Sequence, residues 1–164
     1  VLASPIYPQL MRSGINNHMD KLIAAMKIVL GTSFAVYLKT HAAHWNVEGP
    51  QFSAYHAMFA AMYEEIWQAI DPIAEQIRQL DAYAPASLER LAELSRVKSS
   101  NEIVPPPDLL LMLMKDNEIL IAALTETLHL AEAADKQGLA NFLAGRIEAH
   151  SKYRWQLRAT AKRI

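Results

Sequence analysis

The chain contains no cysteine among its 164 residues, which excludes disulfides, thiolate metal sites and thiol nucleophiles. Glycine is scarce, with five residues, and 52% of the chain is hydrophobic, so neither a disordered nor a collagen-like protein is expected. The longest apolar run, Leu109 to Met114, is too short to span a bilayer, and the first residues show no signal-peptide pattern. We therefore expect a cytoplasmic protein without a membrane segment.

The sequence also lacks an excess of either charge, with a formal net charge of −1. A protein that binds DNA by neutralising phosphates usually carries a basic patch. The candidates here are scattered near the end of the chain: Arg154, Arg158, Lys162 and Arg163. This pattern favours a solvated helix face over a DNA-binding arm, so DNA is not the favoured partner.

Prolines and helix caps predict how the chain begins. Pro5 and Pro8 predict an irregular N-terminal arm over residues 1–15. Asn16 and Asn17 are both suitable N-caps for a first long helix. That helix carries apolar residues at three- and four-residue intervals, and "NVEGP" ends it. Residues 16–164 are then expected to form one domain.

Three more long helices are predicted by the same periodicity. They cover Gln51 to Leu80, "PPPD" to about Ala134, and the corner near Asp135 to about Lys162. The long connection before "PPPD" holds a short helix capped by Ser87. No alternation of period two persists anywhere. The sequence thus predicts an all-α, antiparallel four-helix bundle with one long crossover.

Histidines and carboxylates suggest a metal site divided between two ends of one helix. His44 and His56 flank the Gly-Pro turn, which can bring them together. Asp71 and Glu75, four residues apart, share one helix face. Asp71 lies roughly 22 Å beyond His56 along the helix, so one chain cannot bring all four to one metal.

Two copies of this helix, packed antiparallel about a two-fold axis, would unite the two halves. The axis falls near Glu64 and Glu65, and two equivalent sites result. Each site would hold two imidazoles and two carboxylates, a set suited to iron, manganese or zinc. The alternative is that the histidines are caps or core residues and that the acids are solvated.

A longer motif strengthens the metal interpretation. "LKTHAAHWNVEGPQFSAYH…DPIAEQI", with "RIEAHSKYRWQLRA" near the C-terminus, resembles the Dps family of ferritin-like mini-ferritins, the DNA-binding proteins from starved cells. The matching residues are Lys39, Thr40, His44, Trp45, Asn46, Val47, Gly49, Phe52, His56, Asp71, Ala74 and Glu75, while Gln76 replaces an arginine.

This resemblance implies a ferritin-like fold and a homododecameric hollow shell that stores iron(III) and protects against oxidative damage. It also implies ferroxidase centres at two-fold interfaces, where iron(II) is oxidised by hydrogen peroxide or oxygen. His44 and His56 would come from one subunit and Asp71 and Glu75 from its mate. Trp45 would lie near the metals, although a role in core packing explains it equally well.

One position departs from the family pattern. The family usually has an acidic ligand four residues after the second histidine, where this chain has Ala60. Fewer anionic ligands should weaken at least one of two iron positions. Glu64, one turn further along, and His41, three residues before His44, are candidates for additional ligands.

Two further interpretations stay open at this stage. Because of Ala60, the shell could lack effective ferroxidase chemistry and act as a structural or DNA-compacting assembly. The chain could instead be a dimeric ferritin-like enzyme of another type, which a mass measurement in solution would distinguish from a dodecamer.

Overall fold

The computed structural model describes the chain from residue 6 to residue 162, with side chains from residue 17 onward. Five helices follow in order: α1 (Ile6–Asn46), α2 (Phe52–Gln79), α3 (Leu88–Leu94), α4 (Asp108–Ala133) and α5 (Gln137–Ala161). Within this described range there is no strand. The predicted all-α bundle of four long helices, with a short helix in the long crossover, is confirmed.

The first helix begins earlier than predicted. It starts at Ile6, so the expected start near Asn16 or Asn17 was wrong, and residues 6–15 are helical rather than irregular. Pro8 lies in the first turn, where a missing N–H costs no intrahelical hydrogen bond. Residues 1–5 and the basic candidate Arg163 lie outside the described part of the chain, and the division into arm and domain stays a prediction.

The core lies between the four long helices. α1 packs against α2 and α4, and α4 packs against α5. On α2 the buried positions recur every three or four residues, as a helix with one apolar face requires; they are Tyr55, Phe59, Met62, Ile66, Ala69, Ile73 and Ile77. Each large apolar side chain buried in this way stabilises the fold by about 1.5–3 kcal/mol.

Part of α1 has the length and composition of a membrane-spanning helix. This segment is Asn17–Asn46. Its apolar stripe is nevertheless buried in the protein, since Leu22, Met26 and Val29 are fully covered. α1 is therefore a core helix of the bundle rather than a membrane span.

The crossover is fixed across α1. Ser87 caps α3 as predicted, since Oγ accepts from the N–H of Arg90 at 3.1 Å. Gly31 of α1 lets α3 approach, because a Cβ there would lie 2.6 Å from the carbonyl oxygen of Leu91. Beyond α3, the N–H of Arg96 donates to Oγ1 of Thr32 at 3.1 Å. These contacts give the crossover one defined path over the bundle.

Candidate metal centre

The turn between α1 and α2 brings His44 and His56 face to face. Gly49 makes the turn possible, because its φ of +109° is strained for any other residue. Nδ1 of His44 lies 2.8 Å from the backbone oxygen of His56, and Nδ1 of His56 lies 2.9 Å from the backbone oxygen of His44. The two rings stack with centroids 3.7 Å apart. The predicted histidine pair is thus formed within one chain.

These reciprocal hydrogen bonds determine which nitrogen of each ring is available. A carbonyl oxygen can only accept, so Nδ1 must carry the hydrogen in both rings. In the neutral ring Nε2 then keeps the lone pair that binds metals, which is the usual arrangement of a ligating histidine. His44 and His56 therefore form a pre-organised pair of nitrogen donors.

Aromatic rings surround this pair. Phe52 stacks on His56 with centroids 4.8 Å apart, and Tyr63 meets His44 edge-on at 5.2 Å. Trp45 is 59% exposed and packs on His41, with centroids 4.2 Å apart. Trp45 is therefore a surface residue that contacts His41, and the alternative role in core packing does not apply.

His41 lies beside the pair rather than within it. Its Nδ1 is 3.1 Å from the hydroxyl of Tyr37, and its ring stacks on Tyr63 with centroids 3.7 Å apart. The centroid of His44 is 6.1 Å away. Partial burial and the neighbouring His44 lower the pKa of His41, which favours its neutral form.

The carboxylates of the predicted site lie elsewhere on α2. Asp71 and Glu75 are exposed, and neither forms an ion pair within residues 17–162. Because α2 is continuous, Asp71 lies roughly 22 Å and Glu75 roughly 28 Å from His56 along the helix. Pro72 follows Asp71 inside the helix, where it removes the hydrogen bond to Gln68. In the described side chains no three His, Asp or Glu residues converge on one point.

The residue one turn after His56 offers no ligand. Ala60 is half-buried and presents only a methyl group. Glu64, one further turn along, is exposed. A ligand at the histidine end other than His44 and His56 must therefore come from a side chain that moves or from outside the chain.

Two residues of the sequence motif form structural contacts instead of lining the site. Lys39 of α1 lies 2.6 Å from the carboxylate of Asp116 in α4. Burial raises the pKa of Asp116, and the charge and hydrogen bond of Lys39 partly oppose that rise. Thr40 is buried and donates to the backbone oxygen of Val36 at 2.8 Å.

A largely buried polar network between α2, α4 and α5 was not predicted from the sequence. Arg146 of α5 binds Glu65 of α2 with two guanidinium nitrogens, and the hydroxyl of Tyr153 donates to the same carboxylate at 2.9 Å. Nδ1 of His150 is 2.8 Å from Oδ1 of Asn117 in α4, and its Nε2 is 3.2 Å from Arg146. The signal for this network was the spacing of four residues between Arg146 and His150, which places both on one face of α5.

The network shifts the pKa values of its members. Burial, with help from the charge of Arg146, lowers the pKa of His150 to about 3. Burial alone would raise the pKa of Glu65, but the hydrogen bonds and charge of Arg146, together with Tyr153, outweigh it and lower that pKa. At neutral pH the network therefore contains one ion pair and a neutral imidazole.

Comparisons with known proteins place this architecture. The ferritin-like domain family matches residues 23–164. An uncharacterized low temperature-induced protein of Nostoc sp. is 35% identical over 134 residues, which cover 79% of this chain and 74% of that protein. The DNA protection during starvation protein 2 of Bacillus anthracis is 29% identical over 124 residues, covering 76% and 85%.

Solved structures agree with this. The Dps protein of Vibrio cholerae superimposes with a TM-score of 0.84 at 25% identity, covering 89% of this chain and 92% of that one. Dps from Thermosynechococcus elongatus gives a TM-score of 0.89 at 20% identity, covering 92% of this chain and 96% of that one. At this low identity the likeness shows a shared fold only. The chain belongs to the ferritin-like family, and within that family it is a homologue of the Dps proteins.

Proposed function

We propose that this chain is a mini-ferritin, which oxidises iron(II) with hydrogen peroxide or oxygen and stores iron(III) inside a shell of twelve copies in the cytoplasm. The observation that carries the proposal is the reciprocally hydrogen-bonded pair of His44 and His56. Because Nδ1 of each ring is engaged, the two Nε2 atoms can bind a metal with their lone pairs. The family adds support, since the Vibrio cholerae relative is described as a ferritin-like diiron-carboxylate protein. The absence of cysteine fits a reducing compartment.

In this proposal, each centre is completed by a second subunit. Asp71 and Glu75 are exposed on the same helix that carries His56. An antiparallel pairing of α2 with its copy, about an axis near Glu64 and Glu65, brings these carboxylates to the partner's histidine pair. Two imidazole nitrogens and two carboxylates suit iron(II), and zinc or manganese could also occupy the site.

The protein's contribution is to bind iron(II) as a substrate and to orient it for the oxidant. The hydrogen bonds at Nδ1 keep both imidazoles in the binding tautomer. The carboxylates stabilise the higher charge of iron(III), because hard cations prefer anionic oxygen ligands. With Ala60 in place of an acid, we infer that one iron position in each centre is held more weakly than the other.

Complementation between two defective chains tests this arrangement. His56→Ala and Asp71→Asn shells should each bind iron(II) much more weakly and lose peroxide-dependent oxidation. Shells co-assembled from equal amounts of both chains should regain about a quarter of the sites, because each mixed dimer restores one of its two centres. Asp81→Asn, an exposed change at the end of α2, serves as the control.

Failure of the mixed shells to regain binding would contradict the intersubunit site. Absence of saturable iron(II) binding by the unmodified protein, or no gain in oxidation rate over buffer, would contradict the proposed function itself. The mass in solution should correspond to twelve subunits, and a stable dimer would contradict the shell.

A second candidate function is a structural or DNA-compacting shell with little ferroxidase activity. The observation that favours it is Ala60, which leaves the histidine end of α2 without its carboxylate. A gel shift at physiological salt with Arg158→Glu/Lys162→Glu tests DNA binding, because both side chains are exposed. Truncation from Arg154 onward is unsuitable as a test, because it would also remove Leu157, which is fully buried in the core. Lys115→Glu/Lys136→Glu, with the same change of charge, is the control.

A further inference from the structure

A proline interrupts the hydrogen-bond ladder of α2 directly beside the predicted carboxylates. Pro72 follows Asp71 and has no backbone N–H, so the carbonyl oxygen of Gln68 lacks its helical donor. α2 nevertheless continues for seven more residues, to Gln79, so the proline does not end it. Among the side chains that the structure describes, none donates to this oxygen. The carbonyl of Gln68 is therefore open to a donor from outside the helix.

The freed oxygen lies on the face of α2 that carries the predicted ligands. Residues seven apart differ by only about 20° around a helix, and residues three apart by about 60°, so Gln68 lies close in direction to Glu75 and Asp71. Helical side chains lean toward the N-terminus, which brings both carboxylates back over the turn that contains Gln68. All three residues are exposed, so the bundle core does not cover this turn.

The proposed two-fold pairing places this oxygen opposite the missing carboxylate. Ala60 of one copy lies opposite Ala69 of the other, because both are equally far from the axis near Glu64 and Glu65. A helix carbonyl points toward the C-terminal end, so the oxygen of Gln68 lies near the level of Ala69. The carbonyl that lacks a donor and the position that lacks an acid therefore meet at one point of the proposed centre.

We propose that the Gln68 carbonyl freed by Pro72 is a further part of the metal centre, where it accepts a hydrogen bond from a water molecule bound to iron(II). This inference rests on the proposed ferroxidase centre. The backbone lies nearer the helix axis than the tips of the carboxylates do, so a water bridges the distance to the ion. That water takes the place of a carboxylate four residues after His56.

Both partners of this hydrogen bond suit the role. A cation draws electron density from the water that it binds and makes that water a stronger donor. A backbone carbonyl without a partner is a strong acceptor. Because the carbonyl is uncharged, it orients the water without replacing the missing negative charge. Pro72 is a positioning residue in this arrangement, since it acts only through Gln68.

Restoring the missing N–H tests this role. Pro72→Ala gives Gln68 its helical donor back, so the carbonyl returns to the ladder and α2 should become more stable. Anaerobic titration of the shells should show about tenfold weaker iron(II) binding, whereas urea unfolding should show a higher midpoint. Lower affinity together with higher stability distinguishes a lost contact from general damage to the fold.

Gly145→Ala is the matched control. It lies on an exposed part of α5, where an added Cβ meets nothing within 4 Å, so it should stabilise a helix without changing iron(II) affinity. Ala60→Asp provides a rescue, because its carboxylate replaces the water. In that background, adding Pro72→Ala should no longer lower the affinity.

Two results would overturn this inference and leave the ferroxidase proposal standing. One is an unchanged iron(II) affinity in Pro72→Ala, and the other is an equal loss of affinity with and without Ala60→Asp. Absence of saturable iron(II) binding by the unmodified protein would overturn both proposals.

Discussion

Histidine occurs in two contrasting environments in this bundle. At the turn, His44 and His56 each have only Nδ1 engaged by the described residues, so Nε2 is open to a ligand. Inside the bundle, His150 has both nitrogens engaged, by Asn117 and Arg146, and is 1% exposed. The role of an imidazole therefore depends on whether its second nitrogen already has a partner within the chain.

The largest expected effect is a loss of stability when the buried network around His150 is disrupted. Arg146→Met leaves Nε2 of His150 without its partner and leaves the Glu65 carboxylate with the Tyr153 hydroxyl but no cation, so the free energy of unfolding should fall by about 3 kcal/mol. Iron(II) affinity at the turn should not change. Urea unfolding and an anaerobic iron titration measure the two quantities. Arg154→Met on the same helix is the control, and equal destabilisation by both variants would contradict the role of the network.

Removing a histidine at the turn should weaken metal binding and leave stability nearly unchanged. His56→Ala removes one metal-binding nitrogen and one of the two reciprocal hydrogen bonds. Iron(II) affinity should fall about 100-fold, roughly 2.7 kcal/mol, while the unfolding free energy changes little, because His56 is only half-buried. Calorimetric titration with iron(II) checks this. His129→Ala, an exposed histidine on α4, should keep full affinity; if it also loses affinity, the assignment is wrong.

Acid should destabilise the protein through the interior histidine. The unfolded chain protonates His150 below about pH 6.5, whereas burial and Arg146 lower its pKa in the folded state to about 3. Unfolding therefore takes up a proton between these values, and stability is lost as pH falls. The loss due to His150 should reach about 2 kcal/mol at pH 5.

Comparing the unmodified protein with His150→Gln measures this loss, because glutamine hydrogen-bonds but does not titrate in this range. The variant should lose less stability between pH 7 and pH 5 than the unmodified protein does. Parallel loss in both proteins would show that other groups cause the acid sensitivity.

A smaller effect is expected from adding a ligand at the turn. Ala60→Asp supplies a carboxylate one helical turn after His56, so iron(II) should bind about tenfold more tightly, and each centre should take up a second ion. Ala61→Asp, on the neighbouring exposed position, is the control. Unchanged affinity and stoichiometry in Ala60→Asp would mean that this position does not face the metal.

Most of the fold follows from helical periodicity, but long-range partners do not. The apolar stripe of α2 and the cap at Ser87 are local signals, so these elements were predicted correctly. The start of α1 differs from the prediction because Pro5 and Pro8 indicate an irregular arm, whereas the first turn of a helix tolerates proline. The pairing of Arg146 with Glu65 joins residues that are distant in sequence, and no local pattern reports it.

The candidate site, too, could be predicted only in part from the sequence. The Gly-Pro turn between His44 and His56 made their meeting predictable, and the structure brings them together. The contact between Tyr37 and Tyr63 beside this pair was not predicted, since these residues lie on different helices and meet only through packing. The approach of Asp71 and Glu75 to the histidines stays a prediction, because it depends on a second copy of the chain.

The reciprocal bonds between His44 and His56 also bear on how iron could pass through the protein. In small zinc domains, metal binding supplies the folding energy, so removing the metal unfolds the chain. Here the backbone and the bundle core already hold both rings in place, and occupancy by iron is not needed for the fold. A chelator should therefore leave the helical fold intact, and in the proposed function an ion can leave for the mineral without disturbing the helices that bound it.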